Sequence, residues 1–523
     1  MQTTSADFTA EAKDPVRSIA TDFRVSWKKQ YSASYRAFAI GVSAIGGNDP
    51  IASTGGIVSD WNKYFYFDES AYVTSLNYER SLKMPTGGLS MAMYEAKLDN
   101  TSGRFTPRHM GGNAELFTSA YKVMRPTIIS AGFKIGGVDI TAPQMVGLNQ
   151  RPPRIDMRSK SVTTSGYDFI SYLQNSYLDH QIMFTSQRSD QVISSVLNDL
   201  GFATAQYDLD YGIQPIPFGL FDVGTRFSDV INKLVEAENG QFYQAENGVL
   251  KFDNRQHWDS APYNAVTKVL YTAQVLDAES PSDDHIINIV EVVGSQYQKQ
   301  PVQAIFTLNS QNSILVQAGT TVEKFFNSED SILSITHPTS SGTVSYFVAN
   351  SASNGSGTDL SSSVTFTNKG TFAKTVKYSI TNSSTSDAYI TQLVIQGRVV
   401  KRVADIYYRE QDDSSVTAYQ ERPFKIDNEY IQNSYWAASY ARMILNDFSE
   451  PENLQKIKIR AMPDLQLGDL VSWQGRYWRI FDIKTTIDPS EGFVQELTLL
   501  QRTITSYFRV GISTIGGTDR IAP

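Results

Sequence analysis

The sequence predicts a mainly β, multidomain protein with α+β portions. Only 19% of the 523 residues are charged, whereas 12% are aromatic, with 28 Tyr and 27 Phe. Aromatic and β-branched side chains fit a pleated, half-buried surface, so this composition favours strands over helices. Apolar and polar residues roughly alternate through 72–97, as in paired strands with one buried face. The length corresponds to about three to four domains.

Charge and composition exclude several classes of protein. The formal net charge of −8 argues against a surface that wraps nucleic acid or anionic membrane, although an acidic channel wall would let DNA pass without sticking. Because the chain has no Cys, it has neither disulfides nor thiolate metal sites. No window approaches the ~18 consecutive apolar residues of a membrane span. Residues 1–14 lack the basic and apolar regions of a signal peptide, so we expect assembly in the cytoplasm.

The first 32 residues are weakly periodic and resemble an arm that becomes ordered only against neighbouring chains. Residues 35–52 then recur as 507–522, each copy an alternating apolar run followed by Gly-Gly and, soon after, Asp. This pattern predicts hairpins in a duplicated module. We expect a further module after the second copy. The four glycines predicted to lie in turns are Gly46, Gly47, Gly516 and Gly517.

The stretch from Leu98 to Arg108 predicts a rigid loop after the first paired strands. Asp99 and Asn100 can accept hydrogen bonds from the backbone two residues on, and Gly103 can take a positive φ without steric cost. Pro107 fixes φ and has no N–H to donate to a ladder, so the strand must end or lie at an edge. We therefore expect a loop that closes a hairpin.

The charged residues of this loop suggest one ion pair and no metal. Arg104, which precedes Phe105, is expected to hold the Asp99 carboxylate by a charge-assisted fork. A calcium loop built from Asp99 and Asn100 is rejected, because the Asp-x-Asp-x-Asp-Gly spacing and the distal Glu are missing.

The remaining segments are predicted in order along the chain. A hairpin over 133–147, with Gly136 and Gly137 in its turn, completes a first barrel or sandwich domain. A helix over 190–201, capped by Asp190, a second helix ending before Asn239, and a hairpin over 241–252 indicate an α+β domain.

The C-terminal part combines a polar β region with a second strand-rich domain. Ser, Thr, Asn and Gly are frequent over 300–390, which predicts a β-sandwich-like insertion. The longest helix is predicted over 428–448. Gly468 and Asp469 are predicted to form a tight turn that joins two barrel strands.

Several of these motifs resemble the hub proteins of long-tailed, siphovirus-type bacteriophages, which are also called tail-associated or minor tail proteins. In that family a Leu-Asp-Asn loop with Gly-Arg-Phe-x-Pro, here 98–107, precedes an Arg-Pro segment, here Arg125 and Pro126, and then a Gly-Gly hairpin. The Pro-x-Leu-x-Leu-Gly-Asp-x-Val run from Pro463 to Val471 also resembles the family. The resemblance covers 33–300 and 390–505. The residues that it singles out as structural motifs are Asp99, Asn100, Gly103, Arg104, Phe105, Pro107, Gly136, Gly137, Gly468 and Asp469.

The resemblance implies a structural protein of the virion, at the tail tip, with a baseplate-hub role. Such proteins form a homotrimeric ring that closes the distal end of the tail tube and opens for DNA on host contact. The implied partners are the distal tail protein and the tube ring, the tape measure protein, and receptor-binding or tail-fibre proteins, with DNA present only transiently in the lumen. The resulting division is a 1–32 arm, a 33–160 barrel-like hub domain, a 161–299 α+β domain, a 300–390 sandwich-like insertion, a 391–505 second barrel-like hub domain with one long helix, and 506–523 as the start of the repeated module.

No catalytic spacing supports an enzyme. HExxH, P-loop, Rossmann, GxSxG and zinc patterns are absent, and the five histidines are scattered. Adjacent acids at 283–284 and 412–413 are candidates for glycosidase carboxylates only if the fold places two of them across a sugar. We therefore expect no catalytic, cofactor-binding or metal-binding residues. The alternatives are a secreted or surface carbohydrate-binding adhesin, against which the missing signal peptide counts, and a cell-wall hydrolase.

Overall fold

The computed structural model describes residue 2 and residues 4–14, 17–27, 66–107, 110–112, 123–338 and 346–502. Strands dominate, and the predicted class, mainly β with α+β portions over several units, is confirmed. In the described ranges, no helix combines the length and the apolar character needed to cross a membrane. The predicted Gly-Gly turns at 46–47 and 516–517, with the repeat to which they belong, lie outside the described residues.

The elements follow one another along the chain with short connections. The helices are α1 Ala6–Glu11, α2 Ile170–Gln174, α3 Ser189–Asp199, α4 Phe227–Glu238, α5 Asp413–Tyr419 and α6 Ser434–Phe448. The strands of the first half are β1 Ile19–Val25, β2 Phe67–Asp68, β3 Val73–Ser81, β4 Gly88–Leu89, β5 Met93–Asp99, β6 Arg125–Ile135, β7 Val138–Asn149, β8 Arg154–Asp156, β9 Ser161–Tyr167, β10 Ile182–Arg188, β11 Tyr207–Leu209, β12 Pro215–Phe221, β13 Gln241–Gln244, β14 Leu250–Asp253, β15 Val266–Val269 and β16 Val275–Ala278. Those of the second half are β17 Ile289–Lys299, β18 Gln303–Leu308, β19 Ile314–Val316, β20 Thr321–Asn327, β21 Ser331–His337, β22 Phe347–Asn350, β23 Val364–Thr371, β24 Thr375–Asn382, β25 Ala388–Gln411, β26 Pro423–Asp427, β27 Leu454–Arg460, β28 Leu470–Trp473, β29 Arg476–Asp488 and β30 Gly492–Arg502.

One 14-stranded sheet contains strands from both ends of the chain. Its main path is β16-β27-β30-β29-β3-β5-β9-β7-β6-β1-β2, with β28 beside β29, β15 beside β28 and β8 beside β9. The two groups meet where β3 pairs antiparallel with β29, from Ser81 opposite Asp482 to Leu76 opposite Ile487. The strands expected in two barrel-like domains therefore share one sheet, and among the described residues this sheet is open from β16 to β2 and closes no barrel. Sequence patterns indicate strands but do not say which edges pair.

The N-terminal arm is ordered by its own chain, which corrects the expectation that only neighbouring chains order it. β1 pairs along its whole length with β6, from Ile19 opposite Phe133 to Val25 opposite Thr127. Phe8 of α1 is fully buried, and its ring centroid lies 5.1 Å from that of Phe133. The arm has few apolar residues of its own, but it covers an apolar face that the β6–β7 hairpin supplies from far along the sequence.

The predicted α+β portion packs two helices against short strands. Helix α4 ends at Asn239, whose φ of 54° is left-handed, and β13 and β14 form the predicted hairpin. Helix α3 begins at Ser189, so Asp190 is not its cap, as predicted. Instead the Asp190 carboxylate accepts from the Arg188 guanidinium at 2.9 Å, while the Gln191 side chain accepts from the Arg188 backbone N–H at 3.0 Å.

The Ser/Thr-rich region forms the predicted sandwich-like unit. β25 is the centre of a seven-stranded sheet in which it pairs with β17, β18, β19, β21 and β22. A three-stranded sheet, β20-β24-β23, faces it across a separate apolar core. Buried Phe366 and Tyr378 of the small sheet pack in this core with Phe347 and Ile390 of the large one.

The longest helix in the described ranges, α6, is shorter than predicted. It starts at Ser434 rather than at 428, because the Asn433 side chain caps it by accepting from the N–H groups of Tyr435 and Trp436. Residues 428–432 instead form a turn whose Asn428 side chain donates to the carbonyl of Lys233 at 2.8 Å. The helix thereby packs between α4 and the β17–β25 pair.

Candidate functional site

The Leu-Asp-Asn loop, residues 98–107, is a rigid turn, as predicted. Asp99 Oδ1 accepts from the Thr101 backbone N–H at 3.0 Å, and these bonds to Thr101 lower the pKa of the exposed Asp99 carboxyl. Asn100 is buried: its Oδ1 accepts from Phe105 N at 2.9 Å and its Nδ2 donates to Thr106 Oγ1 at 2.7 Å. Gly103 has a φ of 72°, and strand β5 ends at Asp99, well before Pro107.

The partner of Arg104 is Glu69, which corrects the predicted pairing with Asp99. Arg104 Nε donates to Glu69 Oε2 at 3.0 Å and Nη2 donates to Glu69 Oε1 at 3.2 Å. Glu69 Oε1 also accepts from Trp27 Nε1 at 3.0 Å. Asp99 satisfies its carboxylate within its own turn, so the guanidinium is left to pair across the fold. We call Trp27, Glu69 and Arg104 the Glu69 clamp.

Aromatic rings surround the Glu69 clamp. Phe105 is fully buried, with its ring 6.0 Å from that of Trp27 and 5.5 Å, edge to face, from that of Tyr72. The Arg104 guanidinium carbon lies 5.3 Å from the centroid of the Tyr72 ring. The loop motif therefore fastens β5 to the segment after β1 and to the turn that precedes β3.

The Gly-Gly hairpin is confirmed at Gly136 and Gly137. Their φ angles are 58° and 82°, and they form the two-residue turn between Ile135 of β6 and Val138 of β7, which pair with each other. Turns with positive φ at both central positions match the twist of the flanking strands. This hairpin carries the face on which the N-terminal arm packs.

Gly468 and Asp469 form a turn that packs on the α+β portion. Gly468 has a φ of 77°, and a Cβ there would lie 1.9 Å from Cζ3 of Trp258. Gly468 N donates to the carbonyl of Ile480 at 2.8 Å, and Ile480 N donates to the carbonyl of Asp469 at 3.0 Å. The turn thus leads into β28 beside β29, and it needs Gly for both conformation and space.

Arg479 and Asp469 make this junction polar as well as close. Buried Arg479 donates from Nη1 to the carbonyl of Gly468 at 2.7 Å and from Nη2 to the carbonyl of Trp258 at 2.9 Å. Burial, with the nearby positive charge of Arg502, lowers the pKa of Arg479 to about 10. Burial raises the pKa of the Asp469 carboxyl, whose Oδ2 accepts from Gln466 N at 2.9 Å.

The acids that the sequence offered as carboxylate pairs are placed for structural roles. Asp283 and Asp284 are exposed on a loop. The Asp412 side chain caps α5 by accepting from Ser414 N and Ser415 N. Neither pair frames a cleft.

The histidines behave differently from one another. His180 is exposed, and His337 stacks on Tyr346 with centroids 4.2 Å apart. His257 is buried between two carboxylates, those of Asp210 and Asp253. Sequence reasoning missed this cluster because Asp210 is 47 residues from His257, and the only local signal was the four-residue spacing of Asp253 and His257.

Comparison with known proteins finds likeness at the level of fold. No protein family matches the sequence, and no curated protein is similar to it. Among solved structures, the 43 kDa tail protein of prophage MuSo2 from Shewanella oneidensis has a TM-score of 0.43 and 12% identity, covering 84% of this chain and 96% of that one. A tail protein from Neisseria meningitidis MC58 has a TM-score of 0.44 and 9% identity, covering 93% of this chain and 97% of that one.

A third similar structure is the prophage tail protein gp18 from Listeria monocytogenes EGD-e. Its TM-score is 0.39 and its identity 11%, with 86% of this chain and 94% of that one covered. These structural neighbours are phage tail proteins, the class that the sequence motifs resemble.

Proposed function

We propose that the chain is a structural protein of a phage tail and forms the hub at the distal end of the tail tube. In this role a ring of identical chains closes the tube, docks on the distal tail protein and the tube ring, surrounds the end of the tape measure protein and carries receptor-binding or tail-fibre proteins. Contact with the host opens the ring, and DNA passes through its lumen.

The observation that carries the proposal is where the hub-like motifs lie. The Leu-Asp-Asn loop, the Arg-Pro segment and the Gly-Gly hairpin belong to β5, β6 and β7, whereas the Gly-Asp turn leads into β28. All of these strands belong to the same sheet, although they come from opposite ends of the chain. Each motif fixes a turn or a junction of that sheet, as expected for a rigid segment of a ring.

An open sheet edge offers a place for the next chain. β16 ends the main path of the sheet, and among the described residues only β27 pairs with it. Val269, Tyr271 and Leu276 near this edge are 47%, 56% and 48% exposed. An unpaired edge with exposed apolar side chains is a template for association, and a head-to-tail contact gives a ring only if its rotation closes. The resemblance implies three copies.

The assembly state of the purified chain tests the proposal. We expect light scattering and electron microscopy to show a closed ring of three chains that binds the distal tail protein. Leu276→Lys places a charge at the edge of β16 and should shift the ring towards monomers, whereas Val138→Lys, at a 63% exposed position in the Gly-Gly hairpin, should not.

Other results of the same experiment would contradict the hub role. A copy number other than three at the end of the tube, or a lumen wall rich in Lys and Arg that would hold passing phosphates, is incompatible with it. Binding of monomers to glycans would favour the adhesin alternative. We also propose that the chain has no hydrolytic activity, so reproducible release of fragments from peptidoglycan or capsular polysaccharide, lost on changing one carboxylate pair, would favour the hydrolase.

A further inference from the structure

Asp210, Asp253 and His257 form a compact group of potential metal ligands. One ligand atom from each lies within 4.8 Å of the others. His257 Nδ1 is 2.7 Å from Asp210 Oδ2 and 3.5 Å from Asp253 Oδ1. The parallel pairing of β11 with β14 brings the two carboxylates together, because Asp210 directly follows Leu209, which lies opposite Phe252. His257 is added by the short turn that follows β14.

The spacing of these atoms fits the coordination sphere of a small divalent ion. Zinc lies about 2.0–2.2 Å from imidazole nitrogen and carboxylate oxygen. Neighbouring ligand atoms on a tetrahedral or octahedral ion are therefore roughly 2.8–3.6 Å apart. The separations of 2.7 and 3.5 Å are close to this range, so small side-chain shifts would place one ion in contact with all three groups.

Neighbouring groups orient the ligands from outside. Tyr243 Oη donates to Asp253 Oδ2 at 2.8 Å, which leaves Oδ1 facing His257. The backbone N–H of Asn254 donates to Asp210 Oδ2 at 3.1 Å. The His257 ring packs against Tyr263 with centroids 4.0 Å apart. Outer hydrogen bonds of this kind typically fix ligand orientation in metal sites.

Burial and charge also favour a cation. Asp253 is 1% exposed and His257 8% exposed, and buried charges in proteins are paired or coordinate metals. The closest lysine on this strand, Lys251, already pairs with Asp208 at 3.5 Å. His257 lines a cavity of about 580 Å³, and its Nε2, on the side of the ring away from the carboxylates, has no hydrogen-bond partner within the described structure. The cavity gives an ion and its waters a route to the site.

We propose that Asp210, Asp253 and the Nδ1 atom of His257 bind one divalent transition-metal ion of the zinc type. One imidazole and two carboxylates suit Zn²⁺ or Mn²⁺ better than Ca²⁺ or Mg²⁺, which prefer oxygen ligands alone. The ion neutralises the two carboxylates. It also fixes the turn that carries Trp258, the residue that packs on Gly468, so it stabilises the junction between the α+β portion and the large sheet.

Metal titration of the tag-free full chain, stripped with a chelator, tests the proposal. We expect one Zn²⁺ per chain by calorimetry and elemental analysis, and a higher thermal midpoint when Zn²⁺ is present. Co²⁺ in place of Zn²⁺ should give visible absorption bands that report nitrogen and oxygen ligands. Mg²⁺ and Ca²⁺ should give neither the stabilisation nor competition with Co²⁺.

Three variants locate the site. Asp210→Asn and His257→Gln should abolish stoichiometric binding, and Tyr243→Phe, which removes only the outer hydrogen bond to Asp253, should weaken it about 10–100-fold. His180→Gln is the matched control. His180 lies 2.7 Å from Asp179 and 3.6 Å from Asp199, but through opposite ring nitrogens, so this trio cannot chelate one ion.

The outcomes separate a metal site from an ordinary ion pair. Absence of Co²⁺ bands and of Zn²⁺ stabilisation in the wild-type chain would show that His257 only pairs with the two acids, and would overturn the proposal. Binding that survives in Asp210→Asn and disappears in His180→Gln would overturn it as well. Because the wild-type spectrum decides by itself, a His257→Gln chain that fails to fold leaves the test intact.

Discussion

At the scale of single residues, the side chain of Glu69 is fully buried and accepts hydrogen bonds from Trp27 and Arg104. A buried carboxylate is tolerated only when its charge is paired and its oxygens are satisfied. The three residues of the Glu69 clamp come from three separate segments. Arg104 was identified from the sequence as an important loop residue, but the role of Glu69 was not.

Arg104→Met should destabilise the region around β5 by ~3–5 kcal/mol, because it leaves the Glu69 charge buried without its cation. Hydrogen exchange of the β5 amides measures this local free energy of opening. Lys134→Met is the control, since the pair of Lys134 with Asp139 is exposed and should contribute only ~0–1 kcal/mol. Adding Glu69→Gln to Arg104→Met should restore part of the loss. Equal effects of Arg104→Met and Lys134→Met would contradict the clamp.

At the scale of elements, turns decide how neighbouring units pack. Gly468 and Gly475 both have a φ of 77° and lie on either side of β28. A Cβ at Gly468 would meet the Trp258 ring, whereas at Gly475 it would find nothing within 4 Å. The same backbone conformation therefore serves a junction in one case and a free hairpin turn in the other.

Gly468→Ala and Gly475→Ala together separate these two requirements. Both substitutions place an L-residue in the left-handed region, at ~1–2 kcal/mol each. Gly468→Ala should cost a further ~1–3 kcal/mol, because Trp258 must move. Denaturant unfolding followed by tryptophan fluorescence compares the two variants. If they are equally stable, the close approach of Trp258 does not hold the junction.

At the scale of the whole molecule, the pairing of β3 with β29 joins the two ends of the chain. Asp482 lies in β29 on this seam, opposite Ser81. Burial, with the nearby negative charge of Glu79, raises the pKa of Asp482 from its ordinary value of 3.8 to about 7. The folded chain therefore holds a proton that the unfolded chain releases between these two values.

Stability should consequently fall as the pH rises from about 4 to about 7, and should not recover above that range. Asp482→Asn mimics the protonated acid and should remove this dependence. Its thermal midpoint should exceed that of the wild type at pH 8 by an amount that shrinks towards pH 4. Asp139→Asn, at an exposed position in the Gly-Gly hairpin, should show no such gain. A gain for Asp482→Asn that is the same at both pH values would contradict the assignment.

The sequence by itself determined the class of fold and most of the local turns. Alternation predicted the strands, and the turn residues of the Leu-Asp-Asn loop and of Gly136–Gly137 predicted their own conformations, because hydrogen bonds and φ preferences within a few residues decide them. Helix limits were less certain. The start of α6 depends on Asn428, which is tied to α4 far away in the sequence.

Only the tertiary structure decided which distant residues meet. Arg104 pairs with Glu69 rather than with Asp99, the arm is ordered by the β6–β7 hairpin, and β3 pairs with β29. His257 meets Asp210 for the same reason. Strand edges and buried charges have many chemically equivalent partners along a chain of this length, and the choice among them depends on the burial and pairing of the whole sheet, which no local pattern contains.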